Sequence, residues 1–199
     1  MNHPETLFDA VMYPLEAVSL NRKRRRLIPR AWGDVLEIGA GTGVNLRYYD
    51  PTSIRSLLLT DLSTGDRLRE RAAAFQRRAG LPGDAVTVRD ADAMKLPVPD
   101  GAFDTVVMTL VFCSVPDQHA GFAEVKRVLR PGGQLLFIEH VRPHSAVRHL
   151  VDQLNPLWFR LTRECNINRD TAAAMHASGF FFDEITVSGR GFLIHGVAR

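Results

Sequence analysis

The sequence predicts an α/β protein with a seven-stranded, mostly parallel β-sheet that ends in an antiparallel hairpin. Three observations support this fold class. Apolar segments of strand length alternate with amphipathic segments of helical period along most of the chain. Three glycines at alternate positions directly follow the first strand, where a parallel strand turns into a loop. The last two strand-like segments are joined by Gly189-Arg190-Gly191, which suits a hairpin.

Five apolar runs of strand length precede the hairpin, and each ends at a polar or glycine-rich loop. Gly80 is expected to end the helix after the second strand, and Pro99-Asp100-Gly101 forms a turn into the fourth. The predicted strands are residues 34–38, 55–60, 85–89, 103–109 and 134–138. The predicted helices between them begin at Val44 and cover residues 64–79 and 120–129.

Two helical regions flank this alternating pattern. Residues 1–30 have apolar positions at helical spacing and carry the basic run Arg22–Arg26, so they are predicted as an N-terminal helical extension. Residues 141–168 are predicted as a helical cap over the end of the sheet at which the parallel strands finish. Within the cap we expect two short helices, because Asn155-Pro156 interrupts the apolar pattern.

The end of the chain is predicted as one more helix and the hairpin. The helix is expected from about Arg169 to Ala177, with Asn168 as its N-cap and Gly179 closing it. The hairpin strands are residues 185–188 and 192–198.

The composition is that of one folded domain. The 199 residues fit a single domain spanning 1–199, and 45% of them are hydrophobic. The net charge of +3 does not indicate nucleic-acid binding, and no apolar run reaches the roughly 18 residues of a membrane span. The first residues lack the pattern of a signal peptide, and Cys113 and Cys165 show no metal-ligand spacing. We therefore expect a cytoplasmic protein.

The glycine loop after the first strand predicts a nucleoside-cofactor site. Glycine has no Cβ, so backbone there can approach a ligand closely. Glu37 lies near the end of the buried strand, where a carboxylate is costly unless it meets a donor or a cation. A dinucleotide fingerprint needs its third glycine three residues after the second, but that position is Val44. A nicotinamide cofactor is therefore disfavoured.

Four motifs in order resemble class I S-adenosylmethionine-dependent methyltransferases. They are Val35–Gly43, Asp61, Asp90–Pro97 with Phe103-Asp104, and Arg127–Gly133. Finer features, the segments 109–115, 137–141 and 165–169, resemble the alkyl thiol methyltransferases of animals. The region Phe8–Arg26 is similar to bacterial phosphatidylethanolamine N-methyltransferases. The resemblance implies a Rossmann-like methyltransferase fold and S-adenosyl-L-methionine as cofactor.

The resemblance also implies which residues hold the cofactor. Asp61, at the tip of the second strand, is expected to accept hydrogen bonds from the ribose hydroxyls. Asp92 is expected to accept from the adenine amino group, while Ala93 and Met94 line the ring. The predicted cofactor-binding residues are Glu37, Gly39, Ala40, Gly41, Gly43, Asn45, Asp61, Leu62, Asp92, Ala93, Met94, Thr109 and Leu110.

The residues that contact the molecule receiving the methyl group, the acceptor, are predicted around the end of the fifth strand and in the cap. His140 and Glu139 are the candidate catalytic bases. The candidate substrate contacts are Tyr13, Cys113, Trp158 and Phe159. Metal ligation by Glu139, His140, His144 and His149 is not predicted, because Pro143 breaks the helix that a histidine pair at this spacing needs.

The function predicted from the sequence is methyl transfer to a small lipophilic acceptor, with a thiol as first candidate. A thiol with a pKa near 8.5 needs little activation, whereas an alcohol or a carbon acid needs a protein base. The alternatives are a phospholipid or quinone-type methyltransferase and, more remotely, a non-catalytic S-adenosylmethionine-binding module. The expected partner is a small molecule or lipid, not nucleic acid. The run Arg22–Arg26 is a candidate for peripheral contact with anionic lipid.

Overall fold

Seven strands form one sheet in the computed structural model, which describes residues 19–143, 148–162 and 165–199. In chain order they are β1 (Gly33–Ile38), β2 (Ile54–Asp61), β3 (Val86–Asp90), β4 (Phe103–Thr109), β5 (Leu129–His140), β6 (Phe182–Ser188) and β7 (Leu193–Ala198). Their order across the sheet is β3-β2-β1-β4-β5-β7-β6. The first five strands pair in parallel, and β7 pairs antiparallel with both β5 and β6. The predicted fold class is confirmed.

Helices cover both faces of this sheet. In the described part of the chain they are α1 (residues 19–27), α2 (Asp66–Ala79), α3 (Gln118–Val128), α4 (Arg148–Thr162) and α5 (Thr171–Ala177). Apolar side chains of α1 and α2 pack in one cluster with one face of the sheet, and those of α3 and α5 pack in a second cluster. None of the helices in these ranges is both long and apolar enough to cross a lipid bilayer.

Parallel pairing brings the carboxyl ends of the central strands to one edge, which we call the carboxyl edge. Ile38 pairs with Thr60 of β2 and with Met108 of β4, and Thr109 pairs with Ile138 of β5. β4 is buried along its whole length, as expected for a parallel strand covered on both faces. The loops that follow these strands therefore meet at this edge.

A network of ion pairs ties the opposite ends of four strands together. The carboxylate of Asp34 in β1 binds the guanidinium groups of Arg55 in β2 and Arg130 in β5. Asp104 in β4 binds the same two arginines, at 3.0 and 2.6 Å, and its Oδ2 also accepts the Asp34 N–H at 2.8 Å. Hydrogen bonds from Arg55, Ser56 and Arg130 lower the pKa of Asp34, most strongly that from Arg55.

In the described part of the cap, α4 is one continuous helix where two short helices were predicted, and that prediction is wrong. α4 continues through Pro156, although proline removes one helical hydrogen bond. Tertiary contacts hold the chain on the N-terminal side of the proline. Val151 is buried, and the buried Asn155 side chain donates to Asn166 Oδ1 at 3.1 Å and accepts the Ile167 N–H at 3.0 Å.

The predicted N-cap of α5 is also wrong. The N-cap is Asp170, whose Oδ1 accepts the Ala173 N–H at 3.0 Å, and not Asn168. Asp170 caps the helix because it directly precedes the first helical residue, Thr171. From that position its side chain reaches the free N–H groups of the first turn. The first eighteen residues of the predicted N-terminal extension lie outside the described ranges.

The ion-pair network makes a prediction for stability. We expect Asp34→Asn to lower the free energy of unfolding by about 1–3 kcal/mol at pH 7, because charge-assisted hydrogen bonds to two arginines are lost. An acid whose pKa is lowered by folding stabilises the protein above its unfolded pKa of about 3.9, and this stabilisation disappears as the pH falls. The deficit of the variant should therefore shrink below about pH 4.

Urea unfolding at several pH values measures this deficit. Asp84→Asn is the matched control, because Asp84 is an exposed carboxylate in the turn before β3. A deficit that is the same at pH 3 and pH 7 would show that the charge of Asp34 does not stabilise the fold.

Candidate functional site

The glycine loop lies at the carboxyl edge between β1 and the first helical turn. Gly39 has a φ of +67°, and a Cβ there would lie 2.2 Å from Cγ2 of Val111, so only glycine fits. Gly41 has a φ of +53°, but a Cβ there would meet nothing within 4 Å. Ala40 is buried, and Gly43, at φ +76°, leads into the turn that follows. The loop is thus closed against the end of β4 and open at Gly41.

A buried carboxylate lies directly under this loop. Glu37 is 2% exposed, and its two oxygens accept hydrogen bonds from Asn45 Nδ2 at 3.0 Å and from Tyr49 Oη at 2.7 Å. Asn45 Nδ2 also donates to Oγ1 of Thr109 at 3.1 Å, so the same amide joins β1 to the end of β4. Burial raises the pKa of Glu37 to about 7, against the opposing effect of these hydrogen bonds. Tyr49 was not among the residues predicted from sequence.

Asp61 reaches from the tip of β2 to the loop. Its Oδ2 accepts the Gly41 N–H at 2.8 Å, and the residue remains partly exposed. Leu62, the next residue, is 75% exposed. The carboxylate predicted to bind a ribose therefore lies beside the open glycine, where one of its oxygens already fixes the loop.

The third group of predicted residues follows β3. Asp92 Oδ1 accepts the Met94 N–H at 2.8 Å, and a backbone bridge joins Asp92 to Lys95, so this carboxylate shapes a tight turn. Ala93 is buried and Met94 is partly buried against the core. The segment before this turn is fixed to the tip of β2, because the Ala91 N–H donates to Asp61 O at 2.8 Å.

These residues fit S-adenosylmethionine, the cofactor that the resemblance implies. Among the described residues, the buried Oδ1 of Asn45 has no hydrogen-bond donor, so it can accept from an ammonium group. Gly41 borders open space, and the second oxygen of Asp61 is available for hydroxyl groups beside it. Polar groups are thus present at both ends of the loop.

Glu139 lies inside the protein, not at the surface of the carboxyl edge. The residue is fully buried, and its Oε1 accepts the Val111 N–H at 3.0 Å. Burial raises the pKa of Glu139 to about 8. The backbone of Leu110 takes a φ of +58° in the same loop, and its N–H donates to Ile138 O at 2.7 Å. Glu139 and Leu110 therefore hold the loop after β4 against β5.

Two cysteines and a histidine come together at the end of β4 and β5. Sγ of Cys165 lies 3.7 Å from Nδ1 of His140, and one ligand atom from each of Cys113, His140 and Cys165 lies within 4.8 Å of the others. Both cysteines are buried, and His140 is partly exposed. A hydrogen bond with Cys165 and burial raise the pKa of the Cys113 thiol well above its usual value.

Sequence spacing did not show this cluster, because its members come from three distant segments. Cys113 follows β4, His140 ends β5, and Cys165 precedes α5. Tertiary hydrogen bonds of the neighbouring Asn166 bring two of these segments together. Its backbone N–H and its side-chain Nδ2 donate to Cys113 O at 3.1 and 3.3 Å. These contacts exist only in the folded chain.

The candidate substrate contacts of the cap lie on α4. Trp158 is partly buried and Phe159 is 42% exposed. α4 is joined to the cluster side of the site through Asn155 and the segment that follows Cys165. His149 is exposed on the same helix. Tyr13 and His144 lie outside the described residues.

Several known proteins resemble this chain in sequence. A family model described as a methyltransferase domain matches residues 36–137. Human thiol S-methyltransferase TMT1A is 34% identical over 148 residues, which are 73% of this chain and 59% of TMT1A. Human TMT1B is 32% identical over 177 residues, 81% of this chain and 69% of TMT1B. The phosphatidylethanolamine N-methyltransferase of Cereibacter sphaeroides is 32% identical over 108 residues, 54% of this chain and 51% of that enzyme.

Solved structures have the same fold. The structure of an S-adenosylmethionine-dependent methyltransferase from Mesorhizobium loti superposes with a TM-score of 0.65 at 23% identity, covering 88% of this chain and 95% of that one. YcgJ of Bacillus superposes with a TM-score of 0.64 at 19% identity, covering 92% and 95%. At such identities the likeness concerns the architecture alone.

The buried carboxylate of Glu37 makes a prediction for the pH dependence of stability. Folding raises its pKa from about 4.5 to about 7, so the folded state holds more protons than the unfolded state between these values. This contribution to the free energy of unfolding therefore falls as the pH rises from 4.5 to 7. The glutamine of Glu37→Gln cannot titrate. In that variant the free energy of unfolding should therefore lack this fall, which is on the order of 1–3 kcal/mol.

Chemical unfolding of the wild type and of Glu37→Gln between pH 5 and pH 8 measures the free energy of unfolding of each. Subtracting one from the other removes the contributions of the other titrating groups, which both proteins share. Equal slopes in the two proteins would show that Glu37 keeps an ordinary pKa in the folded state.

Proposed function

The chain belongs to the class I S-adenosylmethionine-dependent methyltransferases, and we propose that it methylates a small lipophilic thiol. The match of the methyltransferase model and the solved structures confirm the family, the fold and the methyl donor expected from the sequence. When bound, S-adenosylmethionine supplies an electrophilic methyl group on a sulfonium centre. The chain's own residues then have to hold the donor, align the acceptor and exclude water.

The proposal assigns the cofactor to the glycine-loop half of the carboxyl edge. Asp61 binds the ribose hydroxyls and keeps Gly41 in place, and Asn45 accepts from the amino group of the methionine part. Glu37 fixes the Asn45 amide from below, which sets the direction of its oxygen. Asp92, Ala93 and Met94 border the adenine. The glycine loop also contains the predicted positions Gly39, Ala40 and Gly43, while Leu62 follows β2 and Thr109 and Leu110 lie at the end of β4.

One observation carries the choice of acceptor. Glu139 is fully buried and holds the Val111 N–H, so this carboxylate is not available at the surface of the edge as a strong base. An alcohol or carbon acid would then depend on His140, the other predicted base, whereas a thiol ionises readily near neutral pH without a protein base. We therefore assign Glu139 to positioning the loop after β4. Two human relatives are thiol S-methyltransferases, which supports the same choice.

The acceptor would bind between the cap and the end of β4. Residues 141–168 form the cap of a single methyltransferase domain in this proposal, and Trp158 and Phe159 offer aromatic contacts to a lipophilic molecule. Burial of the cysteines and partial burial of Trp158 favour an apolar acceptor over a charged one.

A phospholipid acceptor at a membrane surface is the second candidate, because one surface of the protein suits it. Arg22, Arg25 and Arg26 are exposed on α1, which is joined to the segment after the glycine loop by a Tyr48–Asn21 hydrogen bond of 2.8 Å. Exposed basic side chains attract anionic lipid. The phosphatidylethanolamine N-methyltransferase relative supports the same acceptor class. Peripheral contact of a cytoplasmic enzyme with a membrane belongs to this second proposal.

Cofactor binding tests the role of Asp61. We expect Asp61→Ala to weaken S-adenosylmethionine binding by at least about tenfold, because one or two charge-assisted hydrogen bonds of about 1.5–3 kcal/mol each are lost. Isothermal titration calorimetry measures the change. Asp66→Ala is the matched control, since Asp66 is an exposed carboxylate five residues further along the chain and should leave the affinity unchanged. Equal affinities for both variants would remove Asp61 from the ribose site.

Acceptor turnover tests the proposed function itself. The enzyme is assayed with a short alkyl thiol and with phosphatidylethanolamine vesicles, each at low and high salt. We expect thiol methylation that changes little with salt, because a neutral small molecule reaches the site without electrostatic attraction. Salt-sensitive methylation of the vesicles without thiol turnover would reverse the order of the two candidates. In that case Arg22→Ala and Arg25→Ala should weaken vesicle binding.

A further inference from the structure

We propose that Cys113, His140 and Cys165 bind a zinc ion whose fourth ligand is the sulfur of the acceptor thiol. The ion-binding part rests on the geometry of these three side chains, and the identity of the fourth ligand rests on the proposed function. Thiolate sulfur and imidazole nitrogen are ligands that zinc prefers, and two cysteines with one histidine form a known catalytic ligand set.

The distances suit a tetrahedral zinc ion. With Zn–S bonds of about 2.3 Å and Zn–N bonds of about 2.1 Å, tetrahedral geometry places sulfur and nitrogen about 3.6 Å apart and the two sulfurs about 3.8 Å apart. Cys165 Sγ and His140 Nδ1 are 3.7 Å apart, and no two of the three ligand atoms are further apart than 4.8 Å. Shifts of about 1 Å or less by side chains therefore complete the triangle.

The fold holds the three ligands from separate directions. The segment that carries Cys165 is fixed to Cys113 by two hydrogen bonds from Asn166. His140 ends β5, and its carbonyl accepts a hydrogen bond from Thr171 Oγ1 at 3.3 Å. A site held in this way needs little rearrangement to take up an ion, because the backbone around each ligand is already fixed.

Charge balance favours an ion at this depth. Cys113 is 1% exposed and Cys165 is 7% exposed, so a charged cluster there is costly unless its charges cancel. Two thiolates, a neutral imidazole and one Zn²⁺ have no net charge before the acceptor binds, and the negative charge that the acceptor thiolate adds meets the positive sulfonium of the methyl donor. Coordination itself removes the thiol protons, so the cysteines need not ionise beforehand.

The described residues supply three ligands and leave the fourth position of the ion to substrate. Within the described ranges, the cluster contains only these three ligating side chains, and catalytic zinc sites keep one position for water or substrate. The cluster also lies next to the cofactor half of the edge. Val111, which contacts Gly39 of the glycine loop, is two residues before Cys113, and Sγ of Cys113 lies 3.8 Å from Leu110 O.

Methyl transfer to the zinc-bound thiol needs no reagent besides the acceptor thiol and S-adenosylmethionine. The acceptor thiol binds zinc through sulfur and releases its proton to water. A lone pair of the bound thiolate forms the new S–CH₃ bond, while the bond between the methyl carbon and the sulfonium sulfur breaks and leaves its electron pair on that sulfur. The products are a thioether and neutral S-adenosylhomocysteine. A neutral thioether is a weaker ligand than a thiolate, so the next thiol displaces it.

Metal analysis tests the ion site without an activity assay. Full-length protein prepared with zinc should contain one zinc per chain by plasma mass spectrometry. The cobalt-substituted protein should show a thiolate-to-cobalt charge-transfer band, which Cys113→Ser and Cys165→Ser each lose. His149→Ala is the control that keeps it, since His149 is an exposed histidine outside the cluster. No zinc and no band in the wild type, or full metal binding in both serine variants, would overturn the proposal.

Two further measurements cover the case in which a serine variant fails to fold. Adding zinc to metal-free wild type should raise Tm with increasing zinc concentration, since the ion binds the folded state. Adding a short alkyl thiol to the cobalt form should shift the charge-transfer band, because the acceptor enters the coordination sphere. An unchanged Tm would count against the ion, and an unchanged band would count against the fourth ligand.

Thiol turnover by metal-free and zinc-loaded enzyme distinguishes a failure of the zinc site from a failure of the proposed function. Metal-free enzyme should lose at least about tenfold in thiol turnover and regain it with zinc, because a bound thiolate forms at lower pH than a free one. Its affinity for S-adenosylmethionine should not change. Full thiol turnover without metal would overturn the zinc inference and leave the proposed function intact. Zinc-loaded enzyme that turns over no thiol would overturn the proposed function and the fourth ligand, while the three-residue site would stand.

Discussion

The buried hydrogen bonds of Glu37 are the interaction on which the carboxyl edge depends. One carboxylate in β1 binds the Asn45 amide and the Tyr49 hydroxyl, and the same amide binds Thr109 at the end of β4. Isolated in the core, this carboxyl group would cost several kcal/mol, so its partners must be present together. The glycine loop runs from Glu37 to Asn45 and is therefore fixed at both ends. Its course over the sheet follows from that pair of anchors.

The carboxyl edge is divided into two chemically different halves. Around β1, β2 and β3 it presents carboxylates, an amide oxygen and open glycine backbone, which suit a polar nucleoside. Around the ends of β4 and β5 it presents sulfur, imidazole and apolar side chains. Val111 joins the halves, because its side chain contacts Gly39 and its N–H binds Glu139. Val111 therefore lies at the boundary between the two halves.

The parts of the protein that could be predicted from sequence are those encoded locally. The strands, the glycine loop and Asp61 follow from patterns within a few residues, and the resemblance placed them in one family. The gathering of Cys113, His140 and Cys165 could not be predicted, because it depends on how three loops meet. α4 was misjudged for a related reason: the tendency of Pro156 to end a helix is local, whereas the contacts of Asn155 that oppose it are tertiary.

The position of β7 has a consequence for how the chain acquires its structure. This strand is the last in sequence, yet it lies between β5 and β6 and pairs with both. During synthesis β5 therefore presents an unpaired edge until residues 193–198 have left the ribosome, and β6 has no partner in the sheet until then. Completion of the sheet is a late, long-range event of the kind that slows folding. Loss of a few residues from this strand would expose two strand edges at once.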